Sequence, residues 1–292
     1  MIIDAKSVKT LRDKTGVPMM QCKKALQESG GDVEKAVEIL RKEGLATAEK
    51  KAGRTAKQGL INCLINDDSA VMVEVNSETD FVSRNEDFKS FVDQVGQVII
   101  QSKPCDVESL LSTGSPIFNG QSVKEALLEK ISSIRENLVI SRFKILQWEP
   151  ENCQGFYYIH GIGKIGVLLV LESNDKNALG QPAFKELGKN ISMQVAAASP
   201  LVITRDQILQ NDIDKEREIY RANTLKQGKP VKMVDKIVDG RIEKWYKEVC
   251  LVEQEYIRDP KLNVEKVLET VGKEVKAEIK IKSFVKFVLG GE

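Results

Sequence analysis

Residues 60–75 read LINCLINDDSAVMVEV, and this stretch marks the change from helix to sheet along the chain. Two apolar segments flank the polar residues 66–69, which is the composition of a turn between paired strands. Val71, Val73 and Val75 fall on one face of the second segment because side chains alternate along a strand. We therefore predict an antiparallel β-hairpin at the start of the core.

Helical and extended segments follow the hairpin and complete a first core half over residues 59–148. Apolar residues recur at helical spacing in one segment, and a second helix begins at a Ser122 cap. A strand is predicted over residues 138–146. The residues predicted to face the core are Phe88, Phe91, Val92, Val95 and Ile99 in the first helix and Ala126, Leu127, Ile131 and Ile134 in the second.

A second core half, over residues 149–203 and 248–292, repeats the arrangement. FYYIHG and VLLVLES are predicted strands, and a helix from Phe184 to Val195 follows them up to Ser199 and Pro200. The final segment EVKAEIKIKSFVKFV, residues 274–288, alternates as a strand does. Two halves of this kind predict an α+β fold with antiparallel sheets rather than a βαβ series.

Residues 1–44 predict three short helices. Asp4 caps the first helix and Gly16 ends it. Pro18 is predicted as the first residue of the second helix, and Asp32 caps a third helix that ends before Gly44. A bundle of this size is more typical of a docking module than of a catalytic domain.

Residues 45–58, LATAEKKAGRTAKQ, predict a basic linker with helical character. Its cations are Lys50, Lys51, Arg54 and Lys57. They are compatible with contact to RNA, or with a linker that faces solvent or a protein partner. The second interpretation is favoured because no aromatic residues lie between the cations to stack on bases.

Residues 204–247 predict a helical hairpin inserted into the second half. Two highly charged, helix-prone segments, 212–227 and 230–246, are separated by Gly228, Lys229 and Pro230. Three apolar residues of the first segment are predicted to face three of the second across the hairpin. These are Ile213, Ile219 and Tyr220, and Val234, Ile237 and Trp245.

Composition excludes several classes of protein. The 292 residues carry 44 basic and 43 acidic side chains, a net charge of +1, which argues against binding nucleic acid by bulk electrostatics. The chain lacks the run of about 18–20 apolar residues that a membrane helix needs. Charged residues from Asp4 onward leave no signal-peptide core, so we expect a cytoplasmic protein. The five cysteines form no ligand pair, so they predict free thiols rather than a zinc site or a disulfide framework.

The segment GIGKIG, residues 161–166, matches the spacing of a dinucleotide-binding loop. That loop must lead from a strand into a helix, whose N-terminus receives the phosphates. Here the β-rich run VLLVLES follows, so a hairpin turn is the favoured interpretation. His160, the only histidine, precedes the turn without a recognisable nucleophile motif, which argues against catalysis.

The segment VNSETDFVSRNEDF, residues 75–88, places Asp80 beside Phe81 where a strand gives way to a helix. Two arrangements fit: Phe81 is tucked into the core, or it is exposed as an apolar wedge for a partner. Met19 and Met20 leave a similar choice between core packing and an adaptable interface.

Two longer stretches resemble a known family. LRDKTGVPMMQCKKAL, residues 11–26, and EVNSETDFVSR, residues 74–84, are similar to the two characteristic motifs of elongation factor Ts, the guanine-nucleotide exchange factor for elongation factor Tu. The order of modules agrees along essentially the whole chain. Pro18 departs from the family, which more often has a small residue there.

The resemblance implies roles for individual residues. The N-terminal module would be a ubiquitin-associated-like bundle that docks on the nucleotide-binding domain of elongation factor Tu. The hairpin arm would form a further contact, and His160 would approach another domain of the partner. The docking residues would be Arg12, Met19 and Met20, and the segment that disturbs the partner's magnesium site would be Thr79, Asp80, Phe81 and Val82.

The implied activity is nucleotide exchange in translation elongation, without covalent chemistry. The partner would be elongation factor Tu, GDP-bound or nucleotide-free, and no cofactor, metal or direct nucleotide binding is expected in this chain. Two other functions remain open from the residues alone. One is an RNA-binding or ribosome-associated scaffold that uses the basic residues of the linker, and the other is a nucleotide-dependent enzyme that uses GIGKIG.

Overall fold

The computed structural model describes residues 3–228 and 230–291 and shows a mixed α+β fold with antiparallel sheets. The predicted fold class is confirmed. Within those residues the elements follow one another in the order of a helical bundle, a first αβ half, and a second αβ half that carries a helical arm.

The N-terminal bundle consists of α1 (Ala5–Thr15), α2 (Met19–Glu28) and α3 (Val33–Lys51). Asp4 caps α1 by accepting from the Ser7 N–H at 2.6 Å, and Gly16 ends it with a left-handed φ of 67°. Pro18 is the N-cap of α2 and not its first residue, because its extended ψ of 143° lies outside the helix. The buried residues of this bundle are Val8, Leu11, Val17, Cys22, Ala25, Leu26, Ala36 and Leu40.

The first half contains β1 (Gln58–Ile65), β2 (Ser69–Ser77), α4 (Glu86–Ser102), α5 (Val107–Ser112), α6 (Val123–Ile134) and β3 (Val139–Gln147). Its sheet has the strand order β1-β2-β3 and is antiparallel throughout. The predicted hairpin is confirmed, with the Asn66 N–H donating to the Ser69 carbonyl at 2.9 Å. A Ser122 capping box starts α6, as predicted.

Strand β2 is buried on both faces, whereas its sequence pattern predicted one apolar face with Val71, Val73 and Val75. Val71, Val73 and Val75 pack against the helices of the first half, and Met72 packs against the second half of the molecule. The central position of β2 between β1 and β3 explains this burial. The segment that connects β2 to α4 therefore starts in the middle of the core.

Helix α3 continues through Gly44 to Lys51, so the predicted helix end at Gly44 is wrong. A glycine inside a helix costs only about 1 kcal/mol relative to alanine, which the helix-forming residues around it offset. The missing side chain also permits close packing on α6: a Cβ at Gly44 would lie 3.1 Å from the Ser132 Cβ. The bundle thus rests on α6 of the first half.

The second half contains β4 (Cys153–His160), β5 (Ile165–Ser173), α7 (Lys176–Leu179), α8 (Pro182–Ala198), α9 (Gln210–Lys226), α10 (Val231–Val249), β6 (Glu255–Tyr256), β7 (Asp259–Asn263), α11 (Val264–Val275) and β8 (Ile279–Val288). Its sheet has the order β4-β5-β8, again antiparallel. The last strand begins at Ile279, after α11, and not at residue 274 as its sequence pattern suggested.

Helices α9 and α10 form the predicted arm. Val234, Val238 and Ile242 of α10 are buried, with Tyr220 of α9 packed against them. Ile219 is exposed, so its predicted inward orientation is wrong. Lys229, between the two helices, lies outside the described residues.

The two sheets pack on each other through a separate apolar cluster. Ile61 and Met72 of the first sheet meet Leu168 and Val170 of the second. Gly166 permits this contact, since a Cβ there would lie 2.5 Å from Ile61 Cγ2. This packing sets the position of the first half relative to the β4–β5 hairpin.

Candidate partner-binding site

The segment between β2 and α4 forms a compact turn rather than an open loop. A short 3-10 helix covers Val82–Arg84, and Asn85 then caps α4 through the backbone N–H groups of Asp87 and Phe88. The Ser83 hydroxyl donates to the Asp80 carbonyl at 2.6 Å. Local hydrogen bonds therefore define the backbone on the C-terminal side of Asp80.

Phe81 is an exposed aromatic residue in this turn. Its side chain is 78% exposed, whereas that of the next residue, Val82, is 7% exposed and belongs to the core of the first half. Asp80 is also exposed. The core alternative for Phe81 is therefore wrong, and the turn presents an acid and an aromatic ring to solvent on a backbone that Val82 anchors.

Thr79 connects the turn to the end of α6. The Glu136 carboxylate accepts from the Thr79 N–H at 2.9 Å and from the Thr79 hydroxyl at 2.6 Å. Glu136 was missed by the sequence analysis. It lies 57 positions from Thr79, and no local pattern in the sequence signals the pairing.

The N-terminal bundle places Arg12, Met19 and Met20 at its surface. Met19 is 45% and Met20 76% exposed at the first turn of α2, so the core alternative does not hold for Met20. Arg12 lies in the last turn of α1, which precedes the start of α2, and is exposed as well; burial raises the pKa of the Cys22 thiol in the core of the bundle. A cation and two flexible apolar side chains thus share one end of the bundle.

His160 is exposed at the end of β4, where its Nδ1 lies 3.0 Å from the Tyr158 hydroxyl oxygen. GIGKIG forms the turn between β4 and β5, as the hairpin interpretation predicted. The chain continues into β5 after the turn, so no helix N-terminus is available for a phosphate. The nucleotide-loop alternative is contradicted by this geometry.

Gly163, which has no side chain, allows the β4–β5 turn to pack directly against the first half. Its carbonyl accepts from the Ile61 N–H at 2.8 Å, and a Cβ at this position would lie 2.6 Å from the Leu60 Cβ. An open cleft of about 440 Å³ lies beside this contact. It is lined by Leu60, Ile61, Asn62, Glu86, Lys89, Ser90, Asp93, Ile159, Ile162 and Gly163.

The cleft adjoins the two predicted contact segments of the core. Glu86, in the first turn of α4, borders it on the side of the Phe81 turn, and Ile162 borders it beside His160. Arg12, Met19 and Met20 do not line it. Thr79–Val82 and His160 do not line it either, so the cleft is related to the two core segments only through their sequence neighbours Glu86 and Ile162.

Two of the basic linker residues are engaged within the chain. Lys51 is buried and its Nζ donates to the Arg135 carbonyl, while the Arg54 guanidinium lies 3.4 Å from Glu78 Oε2. Burial lowers the pKa of the Lys51 ammonium. Since these two cations have partners inside the protein, the linker offers less charge to RNA than its sequence suggested.

Residues 3–228 and 230–291 contain no group of three or more His, Cys, Asp or Glu side chains placed to hold a metal ion. Over the same ranges, no helix has the length and apolar content needed to cross a membrane. All five cysteines are free thiols.

A comparison with protein families matches residues 78–291 to the family described as elongation factor Ts. The chain belongs to the elongation factor Ts family. The matched region begins at Glu78, after β1 and β2, and contains the Phe81 turn, the first half from α4 onward, the second half and the arm. The resemblance to this family is thereby confirmed, although residues 11–26 and 74–77 lie outside the matched region.

Curated members of the elongation factor Ts family extend the match to the N-terminal bundle. The elongation factor Ts of Clostridium kluyveri is 45% identical over 291 residues, covering 99% of this chain and 93% of that protein. That of Lawsonia intracellularis is 45% identical over the full length of both chains. That of Syntrophotalea carbinolica is 44% identical over 99% of this chain and 94% of its own.

Proposed function

We propose that this chain is a guanine-nucleotide exchange factor that binds elongation factor Tu in its GDP-bound and nucleotide-free states. Membership of the elongation factor Ts family supports the class of activity and the partner. The observation that carries the mechanism is the exposed Phe81 ring on an anchored turn. The action requires no covalent chemistry and takes place in the cytoplasm, with elongation itself.

The proposed mechanism starts from how a GTP-binding protein holds GDP. Backbone amides and a lysine cradle the phosphates, and Mg²⁺ neutralises their charge. In this proposal Phe81 inserts between side chains behind the partner's magnesium site, and Asp80 shifts the local contacts. The metal ligands then move, the phosphate charge is less well compensated, and GDP leaves faster.

The free energy gained by burying the Phe81 ring is large enough to speed GDP release. Burying a phenylalanine side chain contributes about 1.5–3 kcal/mol. Each 1.4 kcal/mol removed from the barrier to GDP release speeds release about tenfold. Insertion of one ring therefore supplies about one to two factors of ten, and contacts of the bundle, His160 and the arm add binding energy.

Thermodynamic linkage requires that this chain and the nucleotide weaken each other's binding to elongation factor Tu. If this chain weakens nucleotide binding by some factor, nucleotide weakens the binding of this chain by the same factor. GTP that enters the emptied site therefore releases the exchange factor. In this scheme Arg12, Met19 and Met20 dock the bundle, and His160 contacts another domain of elongation factor Tu. The segment Thr79–Val82 acts at the magnesium site, with Val82 as its buried anchor.

The test is the release of fluorescent GDP from purified elongation factor Tu with catalytic amounts of this chain. We expect release to accelerate and one molecule of this chain to serve many molecules of partner. A folded chain that leaves the release rate unchanged would contradict the proposal. Salt-sensitive RNA binding by that same protein would then favour the scaffold alternative.

A further inference from the structure

The turn that follows α6, Arg135–Asn137, makes contacts that the assignment to the elongation factor Ts family does not explain. Arg135 ends α6 with a left-handed φ of 64°, and its N–H donates to the Ile131 carbonyl. The chain then turns so that Glu136 faces the segment between β2 and α4. The inference drawn from this turn rests on the proposed exchange function.

Glu136 holds Thr79 at two points. Its Oε2 accepts from the Thr79 N–H at 2.9 Å and its Oε1 from the Thr79 hydroxyl at 2.6 Å. Hydrogen bonds to an ionised carboxylate are stronger than those between neutral groups. Two such bonds to one residue restrict both its backbone and its χ1 angle, and Thr79 directly precedes Asp80.

The remaining bonds around Thr79 and Asp80 come from the segment itself. The Ser77 hydroxyl donates to the Thr79 carbonyl at 2.8 Å, and the Ser83 hydroxyl donates to the Asp80 carbonyl at 2.6 Å. Both are local, since each spans at most three residues. Glu136 therefore supplies the long-range contact at Thr79 itself, the residue next to Asp80.

Asn137 extends the contact to the end of α3. The Glu78 carboxylate accepts from the Asn137 N–H at 2.7 Å, and the Asn137 side-chain amide donates to the Arg54 carbonyl at 2.8 Å. Asn137 is buried. One turn thus holds the segment that precedes Phe81 and the chain that leaves the N-terminal bundle.

We propose that Glu136 is a positioning residue for nucleotide exchange, which acts through Thr79 to hold the Asp80–Phe81 pair in the orientation that enters the partner. A side chain held in its binding orientation loses less conformational freedom on association. The orientation matters most where the ring must be inserted, at the step that releases GDP. Glu136 therefore affects the maximal rate of release more than the docking of the two proteins.

The first experiment compares GDP release from elongation factor Tu with the intact chain and with Glu136→Ala. We expect the maximal rate to fall about tenfold, while the concentration that gives half-maximal rate changes less than about twofold. Glu151→Ala, which removes an exposed carboxylate between β3 and β4, is the matched control and should match the intact chain. Equal rates for Glu136→Ala and the intact chain would overturn the inference.

A second pair of variants separates positioning from stability. Thr79→Val removes the hydroxyl with little change in shape, while Thr79→Ser keeps it, so Thr79→Val should slow release and Thr79→Ser should not. Thermal melting is measured on every variant. If Glu136→Ala melts at a lower temperature than the intact chain, Glu136→Gln and the two Thr79 variants are used instead to test the inference. Full activity in both Glu136→Gln and Thr79→Val would overturn it.

The decisive experiment asks whether Glu136 acts through Phe81. In a Phe81→Ala background, Glu136→Ala should cause little further loss, because the ring that it orients is absent. Hydrogen exchange of the Thr79 amide should also speed up in Glu136→Ala alone. Losses that multiply across the two substitutions would contradict positioning. An intact chain that fails to accelerate release would instead refute the exchange function itself.

Discussion

At the scale of single residues, Phe81 and Val82 show how adjacent apolar side chains take opposite roles. Val82 is buried in the first half, and Phe81 is exposed beside it. The sequence left the orientation of Phe81 open, because an aromatic residue at a strand-to-helix turn fits either environment. The 3-10 helix at Val82–Arg84 decides between them, and such short helices carry little sequence signal.

The two residues should respond differently to truncation. Val82→Ala removes buried methyl groups and should lower the free energy of unfolding by about 2 kcal/mol. Phe81→Ala removes an exposed ring and should change it by less than about 0.5 kcal/mol. Urea unfolding of both variants measures this difference. A larger loss for Phe81→Ala than for Val82→Ala would mean that the ring packs in the core.

Met20 gives a corresponding prediction for docking. Met20→Asp places a charge at a position that is 76% exposed, so the free protein should melt as before. In a complex that covers Met20, the carboxylate would be buried without a partner, and affinity for elongation factor Tu should fall by at least about tenfold. Ile257→Asp, at an exposed position of the second half, is the control. Unchanged affinity in a titration would remove Met20 from the interface.

At the scale of elements, the period of the apolar residues was the most reliable guide. It located the β1–β2 hairpin, helices α4, α6 and α8, and strands β4 and β5, all of which are confirmed. Helix α11 had a signal too, since Val264, Val267, Leu268 and Val275 recur at helical spacing, but the sequence analysis did not assign it. The short α5 and the β6–β7 pair are too short for a periodic pattern.

Alanine substitutions at Gly161 and Gly163 of the β4–β5 turn should lower the free energy of unfolding by different amounts. Gly163 has a φ of 67° and packs on Leu60, whereas a Cβ at Gly161, with a φ of 50°, would meet only Lys164 Cβ at 4.0 Å. Gly163→Ala should therefore lower the free energy of unfolding by about 2–3 kcal/mol, against about 1 kcal/mol for Gly161→Ala. Equal losses in chemical denaturation would contradict the close approach of this turn to β1.

Helix α3 gives a prediction about how the bundle is held. Gly44 faces Ser132 of α6 at short range, while a Cβ at Gly53 would meet nothing within 4 Å. Gly44→Leu should therefore push the bundle off α6 and make residues 45–58 more sensitive to protease, and Gly53→Leu should not. Limited proteolysis with mass analysis measures this. Identical cleavage in the two variants would contradict the packing.

At the scale of the whole molecule, the sequence predicted the class of fold and the order of its parts. It could not predict contacts between distant segments, such as Glu136 with Thr79 or Gly163 with Ile61, because these depend on how the elements pack. The division at residues 44, 58, 148, 203 and 247 stays a prediction, and α3 runs across the first of these positions. The roles assigned to Arg12, Met19 and Met20, to Thr79–Val82, to His160 and to the arm likewise stay predictions.

Contacts within the molecule tie the proposed exchange turn to the rest of the protein. The buried Glu74 of β2 accepts from Arg142 Nε at 2.9 Å and from the Gly290 N–H at 2.8 Å, which joins the first sheet to the chain beyond β8. The two sheets share an apolar cluster. Strand β2, from which the Phe81 turn leaves, is therefore tied to both halves, while Glu136 and the buried Val82 hold the turn itself.

The most direct test of the account is GDP release from elongation factor Tu across a range of Mg²⁺ concentrations. The intact chain, Phe81→Ala and the surface control Ile257→Ala are compared after melting has shown all three to be folded. We predict that the intact chain and Ile257→Ala accelerate release most when Mg²⁺ is saturating, and that Phe81→Ala loses at least about tenfold of this acceleration. Full acceleration by Phe81→Ala, or an acceleration that does not depend on Mg²⁺, would contradict it.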